Sequence, residues 1–414
     1  MKVICLAGFL VHQIKTMTSE SISSTFASGR RAGALTFGAI FSLESLVRSM
    51  NSTVLSLQSY ELLGSSQRVS ELTTVVALSV LLTTLMLPYI LGQIRRRWAY
   101  TLGIACMIGA SLFLGSFTVG GQFAGSFLRN WGAAIMNITL ALYIMDHIKR
   151  SDLAHSEPVR LSLSTFSWML GPASGVWLYT NFGPWAPQIA SISASLALLI
   201  LFWTLRLSDR ANLTSGTLQP FNPLANVMRF VRQPRLRLAW MIAFGRSCFW
   251  STFFIYGPLL MVESGVSKQI AGLMISGSQA LLLFAYVFGR IAHRHGVRPI
   301  IAICFMMIAI ASISTGLVGK QHPYIAMALL LFGALAASGL DGVGGIPFLR
   351  AVKPHERQRM AAVYRTFIDF SDLIPGMIFA VALLYFDVAS VFVILGVGLA
   401  AMGAISFRYL PKSL

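Results

Sequence analysis

Residues Ile270 to Val318 read IAGLMISGSQALLLFAYVF, then GRIAHRHGVRP, then IIAICFMMIAIASISTGLV: two uncharged apolar runs flanking a connection rich in arginine and histidine. At 1.5 Å per residue, each 19-residue run covers most of the ~30 Å hydrocarbon thickness of a bilayer as a helix. The same alternation recurs along the chain. Spans are predicted at Ala34–Leu57, Thr73–Leu91, Ala99–Phe117, Gln122–Met145, Leu161–Tyr179 and Ile189–Leu207. A second set is predicted at Leu238–Val262, Ile270–Phe288, Ile300–Val318, Tyr324–Leu349, Ala361–Phe386 and Val388–Tyr409. A mean hydropathy of +0.71 and 56% hydrophobic residues exceed what a soluble core of this size can hide. The fold class is an all-α membrane protein of twelve transmembrane helices.

Lys and Arg fall on alternate connections: Arg30-Arg31, Arg95 to Arg97, His147 to Arg160, Arg206 to Arg237, Gly289 to Arg298, Arg350 to Arg359 and Arg408 to Lys412. The intervening connections carry at most one Lys or Arg each. Basic short loops stay on the cytoplasmic side, so both termini are predicted to be cytoplasmic, in the inner (plasma) membrane. This arrangement accounts for the net charge of +18 without nucleic acid, because the cations lie along one face, beside lipid headgroups. Cys5, Cys106, Cys248 and Cys304 show no metal-ligand spacing and read as packing residues. No Gly-rich phosphate loop appears, so the expected energy source is a proton gradient and no cofactor is expected. No nucleophile-and-base or metal cluster suggests an enzyme.

Residues 1–31 read as a cytoplasmic tail, with Met17 as an alternative start. Residues 32–207 form a first six-helix bundle, the polar, proline-containing stretch 208–237 a linker, and 238–414 a second bundle with a short tail. The two sets look like copies: Arg48-Ser49 with Ser52-Thr53 parallels Arg246-Ser247 with Ser251-Thr252. The loop from Gly92 through Arg95, Arg96 and Arg97 parallels the one from Gly289 through Arg290 to Arg294. A parallel six-plus-six repeat lets two bundles rock about a midplane cavity.

At this point the chain resembles the major facilitator superfamily of secondary transporters, over Ala34 to Tyr409. Gly289, Arg294, Gly296 and Arg298 match the family's G-x-x-x-D-R-x-G-x-R-R loop. His293 stands where the family carries an acid, and the first-half copy has none. The resemblance implies that these loops gate the conformational change. A loop that only sets topology remains the alternative. Gly171-Pro172-Ala-Ser-Gly175 is similar to the G-P-x-x-G core of an antiporter signature, and equally suits any tight helix interface. The resemblance also implies a monomer that binds a small-molecule substrate within membrane lipid.

Ionisable groups inside spans cost ~2.5 to 3.5 kcal/mol each on insertion scales unless paired or wet. Glu44 and Arg48, four apart, share a helix face and can pair, either as a structural tie or within a substrate or proton path. Arg365, Asp369, Asp372 and Gly376 draw one stripe along the eleventh span. Arg365 can neutralise Asp369, leaving Asp372 as the foremost proton-coupling candidate. Asp341, among the glycines Gly339 to Gly345, can line the cavity or act as a gate residue. Arg246 mirrors Arg48 and can bind an anionic group, whereas Arg129 is placed near the outer face, where it can snorkel. Trp168, Trp177, Trp250, Phe249, Phe253, Phe254 and Tyr256 can wall a site or simply pack. The expected function is proton-coupled export of a small organic molecule by rocker-switch alternating access. Uptake of an anionic or zwitterionic solute clamped by Arg48 and Arg246 is the alternative, and a non-transporting membrane sensor or assembly partner the second.

Overall fold

The computed structural model describes residues 34–84, 86–87, 91, 93–147, 150–205, 223–352 and 357–411. The expected tail 1–31, Cys5, Gly92 and the first half of the linker, 208–222, lie outside these residues. Among the described residues the regular structure is helical. The order is α1 (Ala34–Leu63), α2 (Ser66–Thr84), α3 (Arg96–Gly115), α4 (Val119–His147), α5 (Arg150–Phe182), α6 (Trp185–Thr204), α7 (Pro223–Val231) and α8 (Pro234–Glu263). There follow α9 (Lys268–Ala280), a 3-10 turn (Leu281–Phe284), α10 (Ala285–His295), α11 (Val297–Val318), α12 (Pro323–Val343), α13 (Ile346–Ala351), α14 (Arg357–Arg365), α15 (Phe367–Ala382) and α16 (Val388–Tyr409).

Seven helical stretches among these residues are long and apolar enough to cross a membrane by length and composition: α3, α6, α8, α9 through α10, α11, α12 through α13, and α16. The protein is a multi-pass membrane protein. The 30 residues of α1 would reach ~45 Å, yet Glu44, Arg48, Asn51 and Gln58 dilute its apolar character. Large apolar side chains such as Leu170, Leu317 and Tyr385 point outward, at 67%, 77% and 78% exposure, as suits a protein solvated by lipid tails.

Several predicted elements differ from the observed ones. The second span begins at Ser66 rather than Thr73, because Gln67, Arg68 and Glu71 form a polar first turn and a half. The expected Gly289–Pro299 loop is mostly helix: α10 runs to His295, and the chain turns only at Gly296, whose φ of 91° favours glycine. The eighth span is not one regular helix. Its 3-10 turn ends where Gly342 of α12 packs so close that an added methyl would strike the Ala285 carbonyl. The eleventh span divides into α14 and α15 at Thr366, but the backbone there stays right-handed helical (φ −59°, ψ −16°), and the charges of Arg365, Asp369 and Asp372 interact along it. The Thr366 hydroxyl donates to the Val363 carbonyl (2.7 Å) and accepts from the Trp240 indole (3.1 Å). Within the expected linker, residues 223–231 form α7.

The chief packing partners are α1 with α5, α3 with α4 and α6, α11 with α12 and α16, and α8 with α15 and α16. Contacts between the first six helices and the rest run mainly through α5 with α9 and α2 with α15. One core of buried residues, from Phe37 to Phe202, lies wholly within the first six helices. A larger one is built from residues 242–410, joined by Val69. In lipid, close packing and interhelical hydrogen bonds replace the hydrophobic drive. Accordingly, Asn51 donates to Ser191 (2.8 Å) and accepts from Gln188 (3.0 Å), tying α1 to α6. Cys106, Cys248 and Cys304 are free and buried.

Candidate functional site

Charged groups from distant parts of the chain converge in the middle of the molecule. On α1, Glu44 is fully buried, 3.8 Å from Arg48 and 3.3 Å from the Tyr100 hydroxyl. Arg129 reaches in from α4 and donates to the Arg48 carbonyl at 2.8 Å. The snorkelling that the sequence allowed it is not what it does: it lies ten positions beyond Val119, at the start of α4, and its guanidinium faces α1. Arg129 is close enough to Asp372 of α15 and to Arg48 for their charges to interact. Arg365 couples in the same way to Asp369 and, across the two halves of the chain, to Arg48. Ser251 of α8 lies beside the Asp372 carboxylate. Asp372 and Arg365 are accessible and Asp369 is half-buried, so this cluster lines space rather than solid protein. Interactions between its charges there are stronger than in bulk water.

A second cluster joins it from the C-terminal half. Arg246 of α8 meets Asp341 of α12 at 2.9 Å, and the other Asp341 oxygen accepts from the Trp250 indole at 2.9 Å. The Arg246 guanidinium also sits 5.6 Å from the Phe367 ring centroid. Asp341, Trp250, Phe254, Gln279 and Leu282, with Trp168 from α5, line an open pocket of about 200 Å³. Trp168 and Phe254 meet at 5.7 Å between centroids, so both halves of the chain supply its wall. Trp177 does not line it; that ring packs on Phe182 at the far end of α5.

At the end away from the basic connections, the halves are joined by hydrogen bonds and ion pairs that the sequence does not announce. Lys268 of α9 binds Glu61 of α1, which also accepts from the Tyr179 hydroxyl at 2.5 Å. Ser66 donates to Glu263, whose carboxylate also binds Lys320 at 2.6 Å. Burial opposes the Lys320 charge, but the hydrogen bond and charge of Glu263, together with the nearby Asp387 and Tyr60, outweigh it, and the ammonium pKa is raised. Deeper, the Ser70 hydroxyl lies 2.6 Å from that of Tyr256 and donates to the Gly376 carbonyl at 3.0 Å.

The other residues singled out from the sequence are placed as follows. Gly171 and Gly175 press α5 onto α1: a methyl at Gly175 would overlap the Met50 carbonyl, and one at Gly171 the Ser49 side chain. The Pro172 carbonyl faces Gly272 of α9, so the motif packs both within its half and across to the other. Arg298 donates to the Phe407 carbonyl at 2.7 Å, tying α11 to the end of α16. Arg290 meets Tyr286 one turn away (3.2 Å). His293 and Arg294 are exposed, Gly289 is a helical residue with open space around it, and Arg95 caps α3 with Arg96 following. The sequence named Arg129 only as a residue able to snorkel and Ser251 only as part of the repeat, and it gave no site role to Glu61, Lys268, Glu263 or Lys320. Among the described residues no group of His, Cys, Asp or Glu could hold a metal ion.

Charged and aromatic side chains from distant helices of a multi-pass membrane protein converge here, an arrangement that suits a membrane transporter. The model of the Major Facilitator Superfamily matches residues 37–281 and 240–413, and the chain belongs to that family; it is a transporter and not an enzyme. No curated protein sequence matches it. Among solved structures it is similar to a POT family transporter in complex with 5-aminolevulinic acid (13% identity, TM-score 0.73, covering 93% of this chain and 97% of that one). The nucleoside transporter NupG is also similar (16% identity, TM-score 0.66, 91% and 99%). So is a bacterial homologue of the human lysosomal transporter Spinster in an inward-facing, unoccupied conformation (13%, 0.62, 91% and 94%). At these identities the likeness concerns the fold.

Proposed function

We propose that the chain is a secondary active transporter of the cell inner membrane that exports a small organic molecule in exchange for protons. It works by rocker-switch motion of two six-helix bundles, with both termini cytoplasmic. The observation that carries this reading is the convergence of Arg48 and Arg129 from one half with Arg365, Asp369 and Asp372 from the other, beneath an end closed by Glu61, Lys268 and Glu263. Support for the repeat comes from the packing. Spans five with eight, and two with eleven, are the main cross contacts, and a shift of six spans converts one pair into the other. In this reading the closed end faces outward and the cavity is reached from the basic, cytoplasmic end.

Protonation of Asp372, or of Asp369 or Glu44, would change its interaction with Arg129, Arg365 or Arg48 and so bias the two access states. Differential proton affinity between those states drives the exchange. Uptake of an anionic solute needs Arg48 and Arg246 as its clamp, yet carboxylates already engage both, at 3.8 and 2.9 Å. A thermal-shift screen of purified protein at two pH values identifies a ligand, whose flux is then followed in proteoliposomes. Flux that requires the pH gradient and is lost in Asp372→Asn supports the proposal. Flux at full rate with the gradient collapsed, or unchanged in that variant, refutes proton coupling. A stable stoichiometric complex with another membrane protein and no flux would favour the sensor reading.

A further inference from the structure

The pocket walled by Trp168, Trp250 and Phe254 is defined by contacts among its own rings. Phe254 meets Trp168 at 5.7 Å and Trp250 at 6.0 Å between centroids, so the three rings converge on one space. Gln279 and Leu282, three positions apart, bring one face of the eighth span to it. Gln279 is only 4% exposed, and its hydrogen bonding fixes which end of the amide is left over. The Ser278 hydroxyl donates its proton to the Ile275 carbonyl (2.7 Å), so it can only accept from the Gln279 amide nitrogen (3.3 Å). The Gln279 carbonyl oxygen, at the other end of the amide, accepts from no group among the described residues. Asp341, the other polar lining residue, has both oxygens engaged, by Arg246 and by Trp250 at 2.9 Å each.

We propose that this pocket binds an uncharged planar ring bearing an N–H or O–H donor, packed against the three aromatic side chains and donating to the Gln279 carbonyl. This deepens the transport reading and rests on it in one respect: the ring is taken to be part of the exported molecule. A volume of about 200 Å³ suits one or two fused rings, since an apolar cavity of about 150 Å³ accepts benzene. A flat ring gains from stacked or edge-on contact with all three walls. A cation would have to displace Arg246 from Asp341 or sit beside its charge, and an anion would meet the Asp341 carboxylate. An aliphatic group would leave the buried Gln279 oxygen unpaired, which is costly away from water.

Equilibrium dialysis of radiolabelled free indole against the detergent-purified chain, with uptake by protein-free micelles subtracted, measures occupancy. Unlabelled benzofuran has the same shape with an oxygen in place of the N–H. It should displace the label roughly tenfold less well than unlabelled indole, the effect of an unpaired buried acceptor. In Gln279→Leu that preference should disappear while benzofuran affinity is kept, which also shows that the variant is folded. Trp168→Ala should weaken both ligands roughly tenfold, and Trp168→Phe should keep most of the affinity. Equal displacement by the two ligands in wild type, or a preference unchanged in Gln279→Leu, would overturn the donor assignment. Saturable binding untouched by Trp168→Ala would place the ring elsewhere, and stronger displacement by benzyltrimethylammonium than by indole would give the pocket to a cation. No gradient is present, so failure of proton coupling leaves this result unaltered, whereas absence of saturable binding overturns the site by itself.

Discussion

Lys268, in the first turn of α9, binds Glu61, in the last turn of α1, and so joins residues 207 positions apart from the two halves of the chain. Tyr179 of α5 supports the same carboxylate at 2.5 Å, and the Lys268 ammonium lies 5.6 Å from the centre of its ring. If this end opens, α9 must therefore part from α1 and α5, which meet it at one carboxylate.

Glu61→Gln and Lys268→Met should each weaken the closed state. Both side chains are about one-third exposed, so the expected loss is ~0.2 to 1 kcal/mol, up to about a fivefold shift in population. Electron-electron distance measurements between spin labels at Arg68 and Gln269 read this shift as a larger long-distance fraction. The charge-reversed pair, Glu61→Lys with Lys268→Glu, should recover the short distance in part; no recovery would mean the pair does not hold the end closed.

Arg246 and Asp341 should behave as a coupled pair. Asp341→Asn leaves a partly buried guanidinium without its carboxylate and is expected to cost ~1 to 3 kcal/mol, less than a fully buried pair because each side chain is about a quarter exposed. Arg246→Met should cost a similar amount, and the double variant less than the sum of the singles. Additive losses in thermal melts of the purified protein would show that the contact carries no coupling energy.

Glycine substitutions should separate close approach from open space. Gly175→Ala drives a methyl into the Met50 carbonyl, a backbone atom that cannot rotate away, at an expected cost of ~1 to 3 kcal/mol. Gly289→Ala meets nothing within 4 Å and lies inside α10; it should stabilise by roughly 0.5 to 1 kcal/mol through helix propensity. A melting temperature lowered equally by both would contradict this distinction.

Lys320 sets a pH limit on the outer contacts. Its pKa is raised in the folded protein: burial lowers it, and the Glu263 hydrogen bond and charge, with Asp387 and Tyr60, together raise it by more. The contribution is therefore fully present below the unfolded value of about 10.4 and is lost as pH rises through the higher folded value. The melting-temperature difference between wild type and Lys320→Gln should stay constant from about pH 7 to 9 and shrink only above about 10.4. A difference that vanished near neutrality would assign the contact to another group.

The membrane class, the places of most helices and the costly charges inside them were legible in sequence, since each depends on local composition. The last predicted span, Val388–Tyr409, coincides with α16. The Glu44–Arg48 proximity follows from a four-residue spacing within one helix. The Arg365 to Asp372 stripe likewise follows from spacing within a helical segment. What spacing did not show is that the Trp240 indole, 126 residues away, donates to the Thr366 hydroxyl between its members.

The sequence alone settled that this chain lives in a membrane, which end of each helix is basic, and which side chains are too polar to face lipid. Those conclusions need only transfer energies and the geometry of a single helix. Tertiary structure decided the partners: Arg246 with Asp341, Arg129 with the Arg48 carbonyl, Lys268 with Glu61, and the lysine and serine that share Glu263. A helix presents a charge to one direction only, and which neighbour stands there depends on the rotation and crossing of helices far apart in the chain. No local pattern of residues records that.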